Sequence, residues 1–406
     1  MQSTRLTKFI LIGLVLGVCL GLLVFNAYPQ QAAGFAAAAD LLPGIFLRLI
    51  KMIIAPLVFS TLVVGIAKMG DVRAVGRVGI KTFGWFLFAS LISLTLGTLL
   101  VNLFHPGTTL HIPLPDGAAH GDVTASGLTL KDFIGHTFPV SIADAMARNE
   151  ILQIVVFSLF FGVAAAALGE RARALVDVLD AVSHVMLKVT SYVMLFAPLA
   201  VFGALAATVA QNGLGVLRTY GVFMGEFYLA LLILWGILTA LGGLVIGPRV
   251  LSLLRHVRDP LLLAFSTASS EAAYPKTLEQ LERFGCSNRI ASFVLPIGYS
   301  FNLDGSMMYC TFASLFIAQA YGIHLSIGQQ VLMLAILMLT SKGIAGVPRA
   351  SLVVIAATLP QFGIPEGGLL LLLGIDHFLD MGRSATNVVG NSVAVAVVSR
   401  WEGELR

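Results

Sequence analysis

The stretch DHFLDMGRSATNVVGN, residues 376–391, places charged and amide side chains inside strongly apolar sequence. The segments on either side, GLLLLLGI and SVAVAVV, have the composition of a membrane-embedded chain. Ionisable residues within a membrane segment are costly and mark functional sites by default. The polar residues here follow at intervals of four, three, four and four, which places them on one face of an α-helix: Asp376, Asp380, Arg383, Asn387 and Asn391.

The composition of the whole chain indicates a polytopic membrane protein. Its 406 residues are 57% hydrophobic and 11% charged, against about 25% charged residues in a soluble domain. The net charge is +4 and basic residues do not alternate with aromatic ones in any run, so the pattern argues against nucleic-acid binding. The three cysteines, Cys19, Cys286 and Cys310, are isolated, which argues against a disulfide framework or a zinc site.

Several apolar runs are long enough to cross a bilayer, which takes about 20 residues: 9–28, 44–67, 82–104, 150–168, 181–211 and 219–247. The first run is too long for a signal-peptide core of about 15 residues, so we interpret it as a membrane helix. Basic clusters alternate with segments that lack Lys and Arg. The positive-inside rule then predicts a cytoplasmic N-terminus. We expect an outside loop over residues 105–130 and a short interfacial or broken helix over 132–147.

The last 150 or so residues show a different pattern, with two hairpins and two interrupted helices. Residues 259–285 form two arms, each too short for a hydrocarbon core of about 30 Å, with a turn predicted at 269–275. The next apolar segment is interrupted at residues 302–305, and a second hairpin follows with its tip at 341–348. The first hairpin would open from the cytoplasm and the second from outside. Such inverted repeats with broken helices are typical of secondary transporters, with the site at the repeat interface.

The polar residues suggest the chemistry of the substrate. A guanidinium such as that of Arg383 suits a carboxylate, which it can hold with two hydrogen bonds, and an Asp one turn away suits an ammonium. A second polar group, Asn302 and Asp304, lies on the other interrupted helix. The hairpin tips SSEAA and KGIAG offer backbone N–H groups to an anion, although an ordinary tight turn explains them equally well. The alternative is an internal Asp380–Arg383 pair with amide contacts between helices.

Two other functional classes are weaker. An intramembrane hydrolase with Ser269 or Ser270 as nucleophile would need a base on a neighbouring helix. His377 is the membrane-depth histidine, and it lies off the polar face. A passive channel would need a continuous polar pore, and the first six apolar runs supply few polar faces.

Five segments together carry a family resemblance: KMIIAPLVFSTLVVGIAKMG, STASSEAAYP, GYSFNLDGS, TSKGIAGVP and DHFLDMGRSATNVVGN. In this order, over essentially the whole chain, the sequence resembles the dicarboxylate/amino acid:cation symporters, the glutamate transporter family, and most closely its bacterial proton–glutamate/aspartate branch. The resemblance implies an all-α membrane protein with eight transmembrane helices, two re-entrant hairpins, inverted repeats, a scaffold and an elevator-type transport domain. It also implies a homotrimer in membrane lipid.

The resemblance further implies a division of the chain. Residues 1–70 would hold scaffold helices 1 and 2, and residues 71–104 the transport-domain helix 3. Residues 105–215 would hold the outside loop and scaffold helices 4 and 5. Residues 216–406 would form the transport-domain core with helix 6, hairpin 1, helix 7, hairpin 2 and helix 8.

The family's site residues carry over by motif. Arg383 would bind the distal carboxylate of the substrate and Asp380 its amino group. The remaining substrate-binding set is Asn387, Ser384, Ser306, and the backbone of Ser269, Ser270 and Gly346. The cation or proton set is Asp304, Asn302, Ser300, Ser341, Asn391, Ser90, Asp376 and Glu271. The outer gate, residues 339–351, would include Lys342, Gly343 and Pro348. No cofactor is expected, and the coupling ion would be the proton, sodium or both.

Three departures from the sodium-coupled members favour protons. Asn391 stands where those members often carry an Asp, and Phe86 and Ala89 replace hydroxyl residues. Glu271 is usually lacking in sodium-coupled glutamate carriers. The alternative substrates are C4-dicarboxylates, namely succinate, fumarate and malate. Their carriers tend to lack the Asp at 380, whose presence here puts acidic amino acids first.

The two hairpin tips carry opposite charges, Glu271 and Lys342. An inverted repeat brings the tips together over the substrate, and lone charges at membrane depth are costly. We therefore expect the two to interact when the gate is shut, with Arg349 as a rival partner for Glu271. The alternative is that both side chains extend separately into the aqueous cavity.

Overall fold

The computed structural model describes residues 2–69, 72–109, 137–213, 215–340, 350–373 and 375–406. These residues are almost entirely helical, and the β contact among them is an isolated antiparallel bridge between Cys286 and Leu405. The first half of the chain forms α1 (Gln2–Ala27), α2 (Ala32–Ala39), α3 (Leu41–Met69), α4 (Val72–Phe104), α5 (Pro106–Thr109), α6 (Ile142–Arg148), α7 (Ile151–Leu168), α8 (Arg173–Val193) and α9 (Ala197–Asn212). The second half forms α10 (Gly215–Ile246), α11 (Arg249–His256), α12 (Arg258–Thr267), α13 (Tyr274–Phe284), α14 (Asn288–Phe301), α15 (Asp304–Ala320), α16 (Ile327–Thr340), α17 (Ala350–Thr358), α18 (Leu370–Leu373) and α19 (Asp376–Trp401).

Four helical segments among the described residues are long and apolar enough to cross a membrane: Lys8–Ala27, Val75–Thr108, Leu152–Val189 and Tyr220–Ile246. Three shorter apolar helices accompany them: Met52–Ala67, Ala197–Gln211 and Ile327–Met338. A short helix, α6, lies within the region expected to hold an interfacial one. The chain is therefore a multi-pass membrane protein, as its composition predicts.

The prediction of one helix over residues 181–211 is wrong. The run divides between α8 and α9, with a 3-10 turn at Met194–Phe196 between them. Pro198 in the first turn of α9 explains the break, because proline lacks the N–H that would continue the preceding helix and is well tolerated at a helix start.

Helices α1, α2, α3, α7, α8 and α9 pack mainly on one another, whereas α4 packs mainly on α15. α1 lies along α9, and α3 packs on α7 and α8. Small residues allow the α1–α9 approach: a Cβ at Gly13 or Gly17 would come within 2.5 Å of a backbone oxygen of α9. Close packing through glycines four residues apart is a common way for membrane helices to associate. α3 also packs on α14, which connects this group to the second half of the chain.

The residues expected to form the first hairpin fold as two helices, α12 and α13, joined by a turn slightly earlier than 269–275. α12 ends at Thr267, and Ala268 closes it in the left-handed conformation with φ +48°. A 3-10 turn, Glu271–Ala273, then leads into α13. Pro275 belongs to the first turn of α13, a position where the missing N–H of proline is harmless.

The apolar segment interrupted at residues 302–305 forms two helices, and so do the residues expected to form the arms of the second hairpin. α14 and α15 are separated by Asn302 and Leu303. The arms of the second hairpin are α16 and α17. Its tip, residues 341–349, lies outside the described residues, and with it the predictions for Ser341, Lys342, Gly343, Gly346, Pro348 and Arg349.

The polar face lies at the start of its helix. α19 begins at Asp376, and the preceding leucines form the separate one-turn helix α18. The polar residues therefore occupy the N-terminal part of α19, where an acidic residue interacts favourably with the helix dipole. α19 packs on α10, α12, α14 and α15, so it forms the centre of the second half.

The residues after α19 bind several helices together. Glu402 accepts hydrogen bonds from Arg77 at 2.9 Å and from Lys81 at 2.6 Å, both on α4. Glu404 forms an ion pair with Arg289 at the start of α14. The amide of Arg406 donates to the Gly285 carbonyl at 3.0 Å. This end of the chain therefore connects α4, α13, α14 and α19.

We expect Glu402→Gln to lower the melting temperature of the purified protein at neutral pH. Burial alone would raise the pKa of Glu402, but the hydrogen bonds from Arg77 and Lys81 outweigh it and lower that pKa. The stabilisation is therefore complete above the unfolded-state pKa of about 4.3 and is lost as pH falls through the lower folded-state value. The loss should be about 1 kcal/mol, because both basic partners are partly exposed.

The control is Glu170→Gln, which removes an exposed partner of Arg173 and should change little. The difference between Glu402→Gln and wild type should shrink as pH falls below the unfolded-state pKa of Glu402, because protonation then removes the same charge that the substitution removes. Equal melting temperatures at neutral pH would contradict the assignment.

Candidate functional site

Arg383 is the centre of the first polar group. Its side chain is 1% exposed, and Nη2 lies 3.1 Å from Asp376 Oδ1 and 2.9 Å from Asp380 Oδ1. The guanidinium also stacks over the ring of Tyr309, 4.0 Å from its centroid. Asp376 is 2% exposed, whereas Asp380 is 30% exposed. Arg383 is thus held between one buried and one accessible carboxylate, as expected for an Asp–Arg site.

One nitrogen of this guanidinium is still available. Nη1 of Arg383 is buried and has no hydrogen-bond partner among the described residues. An unpaired buried donor is costly, and more so on a charged group. The two remaining N–H bonds of that nitrogen therefore provide a place for an acceptor, and a carboxylate fits a guanidinium best.

Asn387 lies one turn further along α19 and faces the start of α15. Its Oδ1 accepts the amide N–H of Gly305 at 2.9 Å, with that of Ser306 at 3.4 Å. Its Nδ2 donates to Ser306 Oγ at 3.2 Å. The N-terminal amides of α15 are thus occupied by a neutral oxygen, at a helix end that favours anions. Asn387 and Ser306 are brought together as predicted.

Asp304 is the centre of the second polar group and is fully buried. Its Oδ1 accepts a hydrogen bond from Ser93 Oγ at 3.1 Å, and its Oδ2 accepts one from Asn302 Nδ2 at 3.0 Å. Asn302 Nδ2 also donates to Asn391 Oδ1 at 3.2 Å. Asp304, Asn302 and Asn391, three members of the expected cation or proton set, are therefore connected by hydrogen bonds.

Two oxygen atoms at or near this cluster lack a hydrogen-bond partner in the described ranges. Asn302 Oδ1 and Ser300 Oγ are buried without a hydrogen-bond partner among the described residues. Ser90, three residues before Ser93 on α4, is also fully buried. Carboxylate, amide and hydroxyl oxygens are hard ligands of the kind that alkali and alkaline-earth cations prefer. A proton on Asp304 would satisfy the same buried carboxylate.

Two glycines explain why the helices approach so closely here. A Cβ at Gly305 would lie 2.5 Å from the Arg383 carbonyl oxygen, and a Cβ at Gly390 would collide with Asp304 Oδ2. The close contact of α15 with α19 therefore depends on both positions lacking a side chain. Both the backbone of Arg383 and the side chain of Asp304 lie at this contact.

The tip of the first hairpin contributes the remaining described residues. Ser269 Oγ accepts the amide N–H of Ala272 at 3.2 Å, which caps the 3-10 turn. Ser270 is buried and Glu271 is half-buried. Ser384 is buried on α19 beside Arg383 in sequence. The roles of these residues toward a substrate or a proton are still predictions.

Sequence reasoning missed two site residues. Ser93 donates to Asp304, and it lies one turn after Ser90 on α4, a spacing that could have indicated it. Tyr309 donates to Asp376 Oδ1 at 3.3 Å and lies under Arg383. Its position five residues after Asp304 on the same helix gave no periodic signal, because it faces α19 from within an apolar run.

The buried charges of the junction do not cancel. Arg383 contributes +1, and Asp376 and Asp304 contribute −1 each, so these three nearly inaccessible groups sum to −1 when ionised. Uncompensated charge is expensive in a low-dielectric interior. One bound proton or monovalent cation would neutralise the group, which makes the site suited to couple a cation to an anion.

The sequence profile of the sodium:dicarboxylate symporter family matches residues 6–401. The chain is 39% identical to a proton/sodium-glutamate symport protein of Bacillus caldotenax, over all of this chain and 96% of that protein. It is 40% identical to a C4-dicarboxylate transport protein of Anaeromyxobacter sp. strain K, over 99% of this chain and 91% of that one. A C4-dicarboxylate transport protein of Bacillus subtilis strain 168 is 37% identical, over 98% of this chain and 95% of that one. The chain belongs to the sodium:dicarboxylate symporter family.

Proposed function

We propose that this protein is a secondary active symporter that imports L-glutamate and L-aspartate and is coupled to protons more than to sodium. The observation that carries the proposal is the arrangement around Arg383, in which Nη1 is unpaired and Asp380 remains accessible. The distal carboxylate of the substrate would bind Nη1, and the substrate ammonium would bind Asp380. The family is one of symporters, so the hydrolase alternative for Ser269 and Ser270 is set aside.

Binding of the substrate would exchange the ion-pair partners of Arg383 and Asp380 without leaving either charge uncompensated. Asp380 now contacts Arg383 at 2.9 Å. The substrate carboxylate would replace part of that contact, while the substrate ammonium would compensate Asp380. Asp376, which is buried and also receives the Tyr309 hydroxyl, would stay on Arg383 and fix the orientation of the guanidinium.

A C4-dicarboxylate symporter is the second candidate. Relatives with that name are as similar in sequence as the glutamate symport proteins. Their substrates have two carboxylates and no ammonium, so an accessible Asp380 would repel them. The exposed carboxylate of Asp380 therefore favours the amino-acid substrates.

Coupling to protons is supported by the chemistry of the Asp304 cluster. Asn391 contributes a neutral amide where a second carboxylate would strengthen a sodium site, and the buried Phe86 and Ala89 contribute no oxygen ligands from their side chains. One buried carboxylate compensates one cation, whether a proton or a sodium ion. Asp304, Asp376 and Glu271 remain the candidate proton carriers, and no organic cofactor is needed.

The larger arrangement is also a proposal. The family resemblance supports eight membrane helices, two re-entrant hairpins, cytoplasmic termini in the inner membrane, and a homotrimer. The packing of α1, α2, α3, α7, α8 and α9 on one another, and of α19 on α10, α12, α14 and α15, fits a scaffold and a separate transport domain. The transport domain would carry the substrate across as an elevator.

We expect the purified protein in proteoliposomes to accumulate labelled L-glutamate, with excess aspartate inhibiting uptake. Asp380→Ser should reduce glutamate uptake roughly 100-fold, because removing one member of a paired site leaves uncompensated charge that costs roughly 3 kcal/mol or more. The measurement is initial uptake rate at subsaturating substrate.

The matched control is Asp144→Ser, which removes an exposed Asp that pairs with Arg148 and should leave uptake unchanged. Uptake of labelled succinate that excess aspartate does not inhibit would reject the amino-acid substrates in favour of the C4-dicarboxylates.

For the coupling ion, we expect an inward pH gradient to drive glutamate uptake in sodium-free buffer. Asn391→Asp should make uptake strongly sodium-stimulated, because it adds a second carboxylate next to Asn302 and Asp304. Asp304→Asn should abolish accumulation driven by either gradient, in the wild-type and in the Asn391→Asp background. Wild-type uptake that requires a sodium gradient and ignores the pH gradient would reject proton coupling.

A further inference from the structure

Two buried tyrosines meet beside the first hairpin. Tyr274 begins α13 and Tyr299 lies near the end of α14, and they are 2% and 3% exposed. Their rings pack edge to face, with centroids 5.4 Å apart and an interplanar angle of 81°. The hydroxyl oxygens of both are buried and complete no hydrogen bond within the described part of the chain.

Such a pair of unpaired hydroxyls needs a reason. Buried tyrosine hydroxyls usually find a hydrogen-bond partner, and leaving one without a partner is costly. Phenylalanine at either position would keep the ring contact and avoid that cost. The hydroxyls are therefore suited to a partner that occupies the pocket in another state of the molecule.

The threonines that face the two hydroxyls limit what that partner is. Thr61 of α3 faces Tyr274 and Thr277 of α13 faces Tyr299, although neither contact reaches regular hydrogen-bond geometry. Each threonine already donates its single proton to its own helix, Thr61 to Leu57 at 2.7 Å and Thr277 to Ala273 at 2.8 Å. They can accept a hydrogen bond but have none to donate. The phenol oxygens thus lack a donor, and the phenol protons are free for an acceptor.

Glu271 can supply both the missing donor and the missing acceptor. It lies three residues before Tyr274, in the 3-10 turn between the hairpin arms, and is half-buried. It is close enough to act electrostatically on the Tyr299 hydroxyl. A protonated carboxyl donates one hydrogen bond and an ionised one only accepts. Two phenols can therefore hold either form of the same side chain.

Many of the other described charged groups on the packed helices are paired elsewhere, and Arg48 of α3 and Arg400 of α19 are exposed. Glu282, further along α13, interacts electrostatically with the Tyr274 hydroxyl, which Thr61 also faces. The remaining pairs are Arg258 with Asp259, Lys276 and Arg283 with Glu279, Arg289 with Glu404, and Arg383 with Asp376 and Asp380. Within the described residues, Glu271 is the acidic group that acts on the Tyr299 hydroxyl.

We propose that the hydroxyls of Tyr299 and Tyr274 form a pocket next to α3 that binds the Glu271 carboxyl. The coupling proton is carried on that carboxyl. The proposal rests on the proton-coupled function above. In the protonated state, the Glu271 O–H donates to Tyr299 Oη, and the phenol donates onward to Thr277 Oγ1. When Glu271 releases its proton to water, the phenol turns and donates to the carboxylate instead. The tyrosines are positioning residues, since the proton is carried by Glu271.

The pocket would connect the proton to movement. Thr61 belongs to α3, which packs on α14 and on the Glu271–Ala273 turn. If the hairpin slides past α3, Tyr274 loses the hydroxyl that faces it, and the pocket changes its affinity for the protonated carboxyl. Protonation would thus favour one position of the hairpin relative to α3.

The test uses Tyr299→Phe in full-length protein reconstituted in proteoliposomes. It keeps the ring and removes the hydroxyl. We expect the pH midpoint of glutamate uptake to move about one unit toward alkaline pH, because a carboxylate that loses one charge-assisted donor is protonated more easily. KM for glutamate should stay unchanged. Tyr274→Phe should shift the midpoint in the same direction by less, since it contacts Glu271 through Tyr299.

Two further variants separate this role from a structural one. In a Glu271→Gln background, Tyr299→Phe should cause no additional change in the pH profile. Tyr192→Phe removes an exposed hydroxyl and should behave as wild type. A pH profile that Tyr299→Phe leaves unchanged, or a shift of equal size in the Glu271→Gln background, would overturn the proposal. Wild-type uptake that ignores pH gradients would overturn the proton-coupled function as well, and so distinguishes the two failures.

Discussion

The structure depends on one buried arginine. Arg383 is 1% exposed at the centre of the second half of the chain, and it is kept charged by Asp376 and Asp380. An ion pair removed from water is stabilising only when its geometry is good and its remaining groups are bonded. Here the Tyr309 ring covers one face of the guanidinium and its hydroxyl bonds Asp376. The one nitrogen left over, Nη1, is the reason that an anion would bind.

The interruption between α14 and α15 is a consequence of the same constraint. Non-helical backbone at membrane depth persists only where protein or a cavity satisfies it. At Asn302 and Leu303 the chain is held by Asn387 on the α15 amides and by the Asn302–Asp304 contact. The glycines at 305 and 390 bring the backbones together. The Arg383 group and the Asp304 group thus lie at one junction of α15 with α19 and are connected through a few short contacts.

Much of this could be predicted because the polar residues are rare. The chain has only 11% charged residues. The spacing of four, three, four and four therefore distinguishes the polar face of α19 from nearly every other segment. The same scarcity located Asn302 and Asp304. The helix start at Asp376 could not be predicted, since the leucines before it look continuous with the helix by composition. Ser93 and Tyr309 escaped notice because each is a common residue in an apolar helix, and only the packing of α4 and α15 on their neighbours gives them partners. The division of residues 181–211 depended on Pro198, whose effect on the preceding turn outweighed a continuous apolar run.

We propose above all that one substrate molecule bridges Arg383 and Asp380. The most direct test is an experimental structure of the protein with bound L-aspartate. The account predicts the distal carboxylate within hydrogen-bond distance of Arg383 Nη1, the ammonium on Asp380, and Asp376 still paired with the guanidinium. A substrate bound elsewhere, with the Asp380–Arg383 contact intact beside it, would contradict the claim.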